Sequence, residues 1–184
     1  ARECLLSPSI VNSVVTRLER LGAVEKKPLG FTVTDPKRVL LCWAHVRDLW
    51  GDVIYTGRSP RISSILEKRV LPGTALTAHL GYARKFGSIS NDPKQAFLYG
   101  ELTKLQKLFP PASAADANVF VLSGDFHLSR LSQDGVAPIG QIYVDLYNLG
   151  NNGKSLIREL DKKLESVKIR AFRAIVREVR GRAS

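Results

Sequence analysis

Methionine is missing altogether from these 184 residues, so we expect the natural protein to continue upstream of Ala1. Cysteine is nearly absent too: Cys4 and Cys42 stand alone. Two such residues offer neither metal-ligand spacing nor a disulfide framework, and a reducing, cytoplasmic setting fits them best. Apolar runs are short, and none approaches the roughly 18 residues that span a bilayer, which argues against membrane insertion. A secretory leader is not visible. Histidine is scarce, with His45, His79 and His127 far apart in sequence. Acidic residues are outnumbered 17 to 28, leaving a formal charge of +11. That balance favours a polyanionic partner, although net charge speaks of attraction and not of fold.

What is present is an ordinary hydrophobic share of 44%, enough for a core in one large or two small domains. The positive excess is unevenly spread. Residues 1–50 carry 8 basic and 5 acidic side chains (net +3), residues 51–153 carry 10 and 8 (net +2), and residues 154–184 carry 10 and 4 (net +6). The nearly balanced middle is therefore not expected to be the main nucleic-acid surface.

The stretch from Ser7 to Val33 carries the most information. Ser7 is a good N-cap, and Pro8 sits at the first helical position, where its missing N–H costs nothing. Ile10, Val14, Leu18 and Leu21 recur at helical spacing and predict one buried stripe. Ser9, Asn12, Ser13, Thr16, Arg17 and Arg20 then fall on the outward side. A short, polar and cationic face of this kind suits entry into a major groove. Gly22 stops the helix, Ala23-Val24 begin a strand, Lys26-Lys27-Pro28-Leu29-Gly30 reads as a hairpin tip, and Phe31-Thr32-Val33 returns. A helix followed by a basic ribbon matches the recognition helix and wing of a winged helix-turn-helix. Asn12, Ser13, Thr16 and Arg17 are expected near bases, with Arg20, Lys26 and Lys27 on phosphates and Ser9 in the same face.

Downstream, Asp35-Pro36 marks a second helix start. Its apolar positions Val39, Leu40, Trp43, Val46, Leu49 and Trp50 predict a helix running to Gly51, which would close the small domain or form a dimer contact. Asp52 to Thr56 has strand character. Helices are predicted for Arg61–Leu71 and Thr74–Phe86, with a turn at Pro72-Gly73 and a short strand or turn over Gly87–Asn91. Ala96-Phe97-Leu98-Tyr99 and Asn118-Val119-Phe120-Val121-Leu122 read as strands, and Thr103–Phe109 as a helix stopped by Pro110-Pro111. Ile142 to Tyr147 reads as strand on composition, although a helix is equally compatible with its periodicity. Strands interleaved with helices predict a small α/β domain with a mixed sheet. From Lys154 the pattern is helical. Beyond Val167, basic residues crowd around Phe172, Ile175, Val176 and Val179, a face expected to pack on a second subunit or else to clamp DNA.

Motifs for catalysis are wanting. Asp125-Phe126-His127 is the one acid–histidine cluster, and a capping aspartate explains it more simply than a general base. A nucleotidyltransferase needs two aspartates one residue apart after a Gly-Ser turn, and no such pair follows Ser123-Gly124. In Glu101-Leu102-Thr103-Lys104 the spacing is one residue too long for the acid–any–lysine strand of a restriction-type nuclease. No Walker-type glycine loop occurs. Asp145, inside an apolar run, is either the partner of an arginine or lysine or a charge at a strand edge.

The segment Pro138–Leu146, followed by Asn148, Gly150, Gly153 and the helical pattern Lys154–Leu164, resembles the end of the AbiEi family. These are the antitoxin and transcriptional-regulator half of type IV toxin–antitoxin systems. Thr74–Tyr82, Phe97–Leu108, Asn118–Asp125 and Ile139–Leu164 match in the same order, so the likeness extends over most of residues 1–165 through short pieces. Where the family commonly has an arginine–glycine pair before its last helix, this chain has Asn152-Gly153. The resemblance implies an autoregulating DNA-binding antitoxin paired with a nucleotidyltransferase-like toxin.

The resulting expectation is an α+β chain in three parts. A winged helix-turn-helix lacking its first helix occupies 1–50, a mixed α/β regulatory or partner-binding domain 51–165, and a basic C-terminal helix 166–184. Its expected role is sequence-specific, double-stranded DNA binding in transcription regulation, as a homodimer, without cofactor, metal or catalysis. A nucleotidyltransferase-like or nuclease enzyme fused to a DNA-binding module is the alternative.

Overall fold

In the computed structural model, residues 5–28, 30–67, 73–87 and 93–165 are described. The chain begins with α1 (Pro8–Arg20), whose N-cap Ser7 accepts a hydrogen bond from the Ile10 amide at 3.3 Å. Gly22, at φ +67°, ends it in the left-handed conformation that glycine adopts without steric cost. An antiparallel ribbon follows, β1 (Val24–Lys27) and β2 (Gly30–Val33), with Val24 opposite Val33 and Lys26 opposite Phe31. Helix α2 (Pro36–Val46) starts as its sequence dictates, the Asp35 carboxylate accepting from the Arg38 amide.

The remainder builds a four-stranded mixed sheet. In chain order come β3 (Val53–Gly57), the single turn α3 (Ser64–Glu67), β4 (Ala75–Thr77), α4 (Ala78–Phe86), β5 (Ala96–Tyr99), α5 (Leu102–Leu108), β6 (Val119–Leu122), α6 (Phe126–Leu131) and α7 (Ile139–Asn148). A 3₁₀ turn (Gly150–Asn152) leads into a helical stretch over 154–165. Strand order is β3-β6-β5-β4; β5 and β6 are parallel, and both outer pairs are antiparallel. A parallel pair needs a crossover, which α5 supplies.

Both faces of this sheet are covered, so its central strands are apolar throughout and buried at every position. On one face Phe97, Tyr99, Phe120 and Leu122 join α7, Tyr82 of α4, and Leu156 and Leu160 of the last helical stretch. On the other, Leu98, Val119 and Val121 meet Ile62, Ile65, Leu105 and Phe109. No described helix is long and apolar enough to cross a membrane.

Several expectations are corrected by this architecture. Thr74–Phe86 is not one helix: Ala75–Thr77 pairs with β5 as an edge strand, and the helix begins only at Ala78, which takes φ +49° at the junction. Ile142 to Tyr147, for which composition suggested a strand and periodicity allowed a helix equally, belongs to a helix. Five consecutive residues of α7, Ile142 to Leu146, are buried, and burial on all sides removes the polar stripe by which a helix is recognised. Helix α2 ends at Val46, not at Gly51, and Trp50 lies in the following turn with its ring edge-on to Phe97 and Phe120 at 5.4 and 5.2 Å. That helix packs on α7, where the Asn148 amide donates to Ala44 O; Ala44 and Leu49 share one core cluster with the sheet. The expected turn at Pro72, the strand over Gly87–Asn91, the end of the helix Arg61–Leu71, and the basic C-terminal helix over 166–184 lie wholly or mostly outside the described residues.

Candidate functional site

Every residue expected to face DNA is in the described part, and their surroundings divide them. Ser9, Asn12, Ser13, Arg17 and Arg20 are exposed along α1, and Lys27 is exposed beside the hairpin tip. Thr16 and Lys26 are half-buried between helix and ribbon. The Lys26 ammonium donates to Thr16 Oγ1 at 2.5 Å and lies 3.7 Å from Glu19 Oε2, while its amide donates to Glu19 Oε1 at 3.2 Å. Thr16 in turn donates to Asn12 O. These contacts fix the ribbon against α1, which makes Lys26 and Thr16 the brace of the unit. Arg38 Nη1 adds a bond to Leu21 O, and Thr34 Oγ1 one to Gly22 O, tying the turn to the start of α2.

The apolar register of α1 differs by one position from the expected one. Val15 is buried, with Val11 and Leu18 half-buried, whereas Ile10, Val14 and Leu21 stay 51%, 50% and 52% exposed. The reason is that the ribbon docks on only one edge of the arc formed by the six apolar residues, the edge with Val11 and Val15, and leaves the edge with Ile10, Val14 and Leu21 in solvent. The polar arc is open to solvent in either register.

A second constellation, buried and ionic, was visible only in part from the sequence. Asp145 on α7 is fully buried. Its Oδ1 accepts from Arg47 Nε at 3.3 Å and Gln141 Nε2 at 2.9 Å. Its Oδ2 accepts from Thr77 Oγ1 at 2.6 Å and the Tyr99 hydroxyl at 2.8 Å. Arg47 also donates to Tyr99 at 3.0 Å and pairs with Asp52. Asp145 is thus an arginine's partner, one of the two roles its apolar setting suggested. Burial pushes its carboxyl above the ordinary carboxylate range, and the hydrogen bonds from Thr77 and Tyr99, with the charge of Arg47, oppose that rise. Burial, reinforced by the negative charge of Asp145, likewise pushes the Tyr99 hydroxyl far above its ordinary range.

Both carboxylate oxygens carry two donors each, so Asp145 has no lone pair left to take a proton from a substrate. The arrangement is a clamp joining the chain after α2 to β4, β5 and α7. Arg47, Thr77, Tyr99 and Gln141 come from four separate segments, and no local motif announces them.

Elsewhere the catalytic candidates have local roles. Asp125 caps α6 by accepting from the Leu128 amide at 2.7 Å. Glu101 pairs with Lys104, three residues on, at 2.6 Å on the surface. Among the described residues no group of three or more His, Cys, Asp or Glu side chains is arranged to hold a metal ion. Comparison with family models, with curated proteins and with solved structures found no match for this chain.

Proposed function

We propose that this chain is a sequence-specific, double-stranded DNA-binding regulator, with α1 as recognition helix and the β1–β2 ribbon as wing. The observation that carries the reading is the solvent-facing arc of Ser9, Asn12, Ser13, Arg17 and Arg20 beside the exposed Lys27. Short polar side chains let a helix approach base edges closely, and an arginine among them can read a guanine through two hydrogen bonds. Asn12, Ser13 and Arg17 read bases; Arg20 and Lys27 meet phosphates; Lys26 and Thr16 hold the wing at its angle to the helix. The mixed α/β part carries regulation or partner binding. By its resemblance to the AbiEi antitoxins, the partner is a nucleotidyltransferase-like toxin, and the regulator acts on its own promoter as a homodimer.

The test is selection of bound duplexes from a randomised pool, followed by anisotropy titrations against salt. Arg17→Ala should relax sequence preference, since a bidentate base contact contributes about 1–3 kcal/mol of discrimination. Lys27→Ala should weaken all duplexes alike and reduce the salt slope by about 0.9. An unenriched pool with wild-type protein, or equal loss of preference in both variants, overturns the assignment.

A further inference from the structure

At the carboxyl ends of the parallel pair β5 and β6 the fold opens into a crevice of about 660 Å³. Open α/β sheets take their ligands at such strand ends, where loops and not packed helices cover the sheet. The volume lies in the range of small-molecule sites. One wall comes from α4 through Arg84, another from the start of α5 through Glu101 and Lys104, and a third from the turn after α6 through Asp134. Thr74 and Ser129 add hydroxyls.

The charges of this crevice identify its ligand class. Arg84 and Lys104 are matched by Glu101 and Asp134, and the remaining lining is neutral. Arg84 Nη2 donates to Leu66 O at 2.7 Å, and Lys104 pairs with Glu101; an anion entering here meets two carboxylates as well, and a cation meets two positive charges. A dipolar molecule meets both signs favourably, its carboxylate toward the cations and its ammonium toward the acids. The lining contains two carboxylates and neither histidine nor cysteine, and among the described residues no group of three or more such side chains is arranged to hold a metal ion.

Two walls are set in advance of binding. Tyr99, which lines the crevice, has its hydroxyl fixed by Arg47 at 3.0 Å, Gln141 at 2.8 Å and Asp145 at 2.8 Å. Asp134 sits at φ +52° in a tight turn closed by reciprocal backbone bonds between Gln133 and Val136. Preformed walls lower the ordering cost that a small ligand otherwise meets. The Glu101–Lys104 pair is about half exposed, so a zwitterion can exchange one of its partners without stripping a buried charge. From these observations we infer that the crevice binds a small zwitterion of the amino-acid or dipeptide class, its carboxylate toward Arg84 and Lys104 and its ammonium toward Glu101 and Asp134.

Titration calorimetry of the full chain, without DNA, tests this independently of the regulatory reading. The probes are the standard amino acids and glycylglycine, each compared with its N-acetyl and carboxamide derivatives, which lack one charge. The expected result is saturable heat from at least one zwitterion and at least about tenfold weaker binding of its single-charge derivatives. Asp134→Asn and Lys104→Ala should each weaken the zwitterion by a similar factor. Asparagine tolerates positive φ, so the turn survives the first change, and an unchanged melting temperature certifies the fold in both variants. No saturable heat up to about 10 mM probe, equal affinity for the N-acetyl derivative, or unchanged affinity in both variants overturns the assignment.

Discussion

The two ends of α2 belong to unlike regions. Before it, α1 and its ribbon bury little: Val15 is the one buried residue of α1, and every residue of β2 is exposed. After it, each residue of β5 and β6 is buried, as are five in a row on α7. The first region keeps its shape through caps, a glycine turn and the Lys26 brace; the second through packing and the Asp145 clamp. Fully burying an aliphatic side chain contributes about 1.5–3 kcal/mol, and a cap about 1 kcal/mol. One region is therefore built for stability, and the other leaves most of its side chains in solvent while costing the fold little.

This contrast breaks most visibly at Asp145. Asp145→Ala leaves Arg47 and three hydrogen-bond donors without their acceptor, and removing one partner of a buried pair costs about 3–5 kcal/mol. The urea midpoint should fall accordingly, whereas Arg17→Ala on exposed α1 should stay within about 0.5 kcal/mol of wild type. Equal shifts in the two variants would dissolve the distinction.

A smaller effect is expected at Ser7. Losing the cap in Ser7→Ala should cost about 1 kcal/mol, felt locally. Amide exchange should quicken through the first turn of α1 while β5 and β6 keep their protection, because local openings need not involve the core. Uniform acceleration would show instead that the two regions unfold as one.

A third effect lies at high pH. Burial, followed by the hydrogen bond to Glu159, pushes the Tyr82 hydroxyl from 10.0 up to about 12. The folded state therefore holds its proton where the unfolded chain has lost it. The resulting stability is complete below pH 10 and disappears as the pH rises toward 12. Tyr82→Phe should remove that part of the alkaline slope in melts between pH 9 and 12, and an unchanged slope would place the titration elsewhere.

The same division decided what could be read from the sequence. Ser7-Pro8, Asp35-Pro36 and Asp125 act on amides three residues away, so helix starts were legible from local chemistry. The ribbon was legible because a turn and two short strands are also local. In the packed region local signals weaken. Three-residue β4 runs directly into α4, and its strand identity comes only from pairing with β5. The helical identity of α7 was masked by its burial. For Asp145, an apolar setting showed that some partner was required, while Arg47, 98 residues distant in sequence, was set by topology alone. The exposed arc of α1 was legible as composition; its apolar register was not, because the ribbon chooses which edge to cover.

Gly153 fixes a different quantity. It is buried, at the turn between α7 and the helical stretch over 154–165, and a methyl group added there would collide with the backbone carbonyl of Leu146. His79 Nε2 meets Asn152 O at 2.9 Å on the other side of this turn. The final helix therefore leaves its predecessor at an azimuth set by main chain touching main chain, before any of its own side chains engage. Leu156 and Leu160 then seat the helix in the core, so a single added carbon at residue 153 would set the turn against the packing of the helix that follows it.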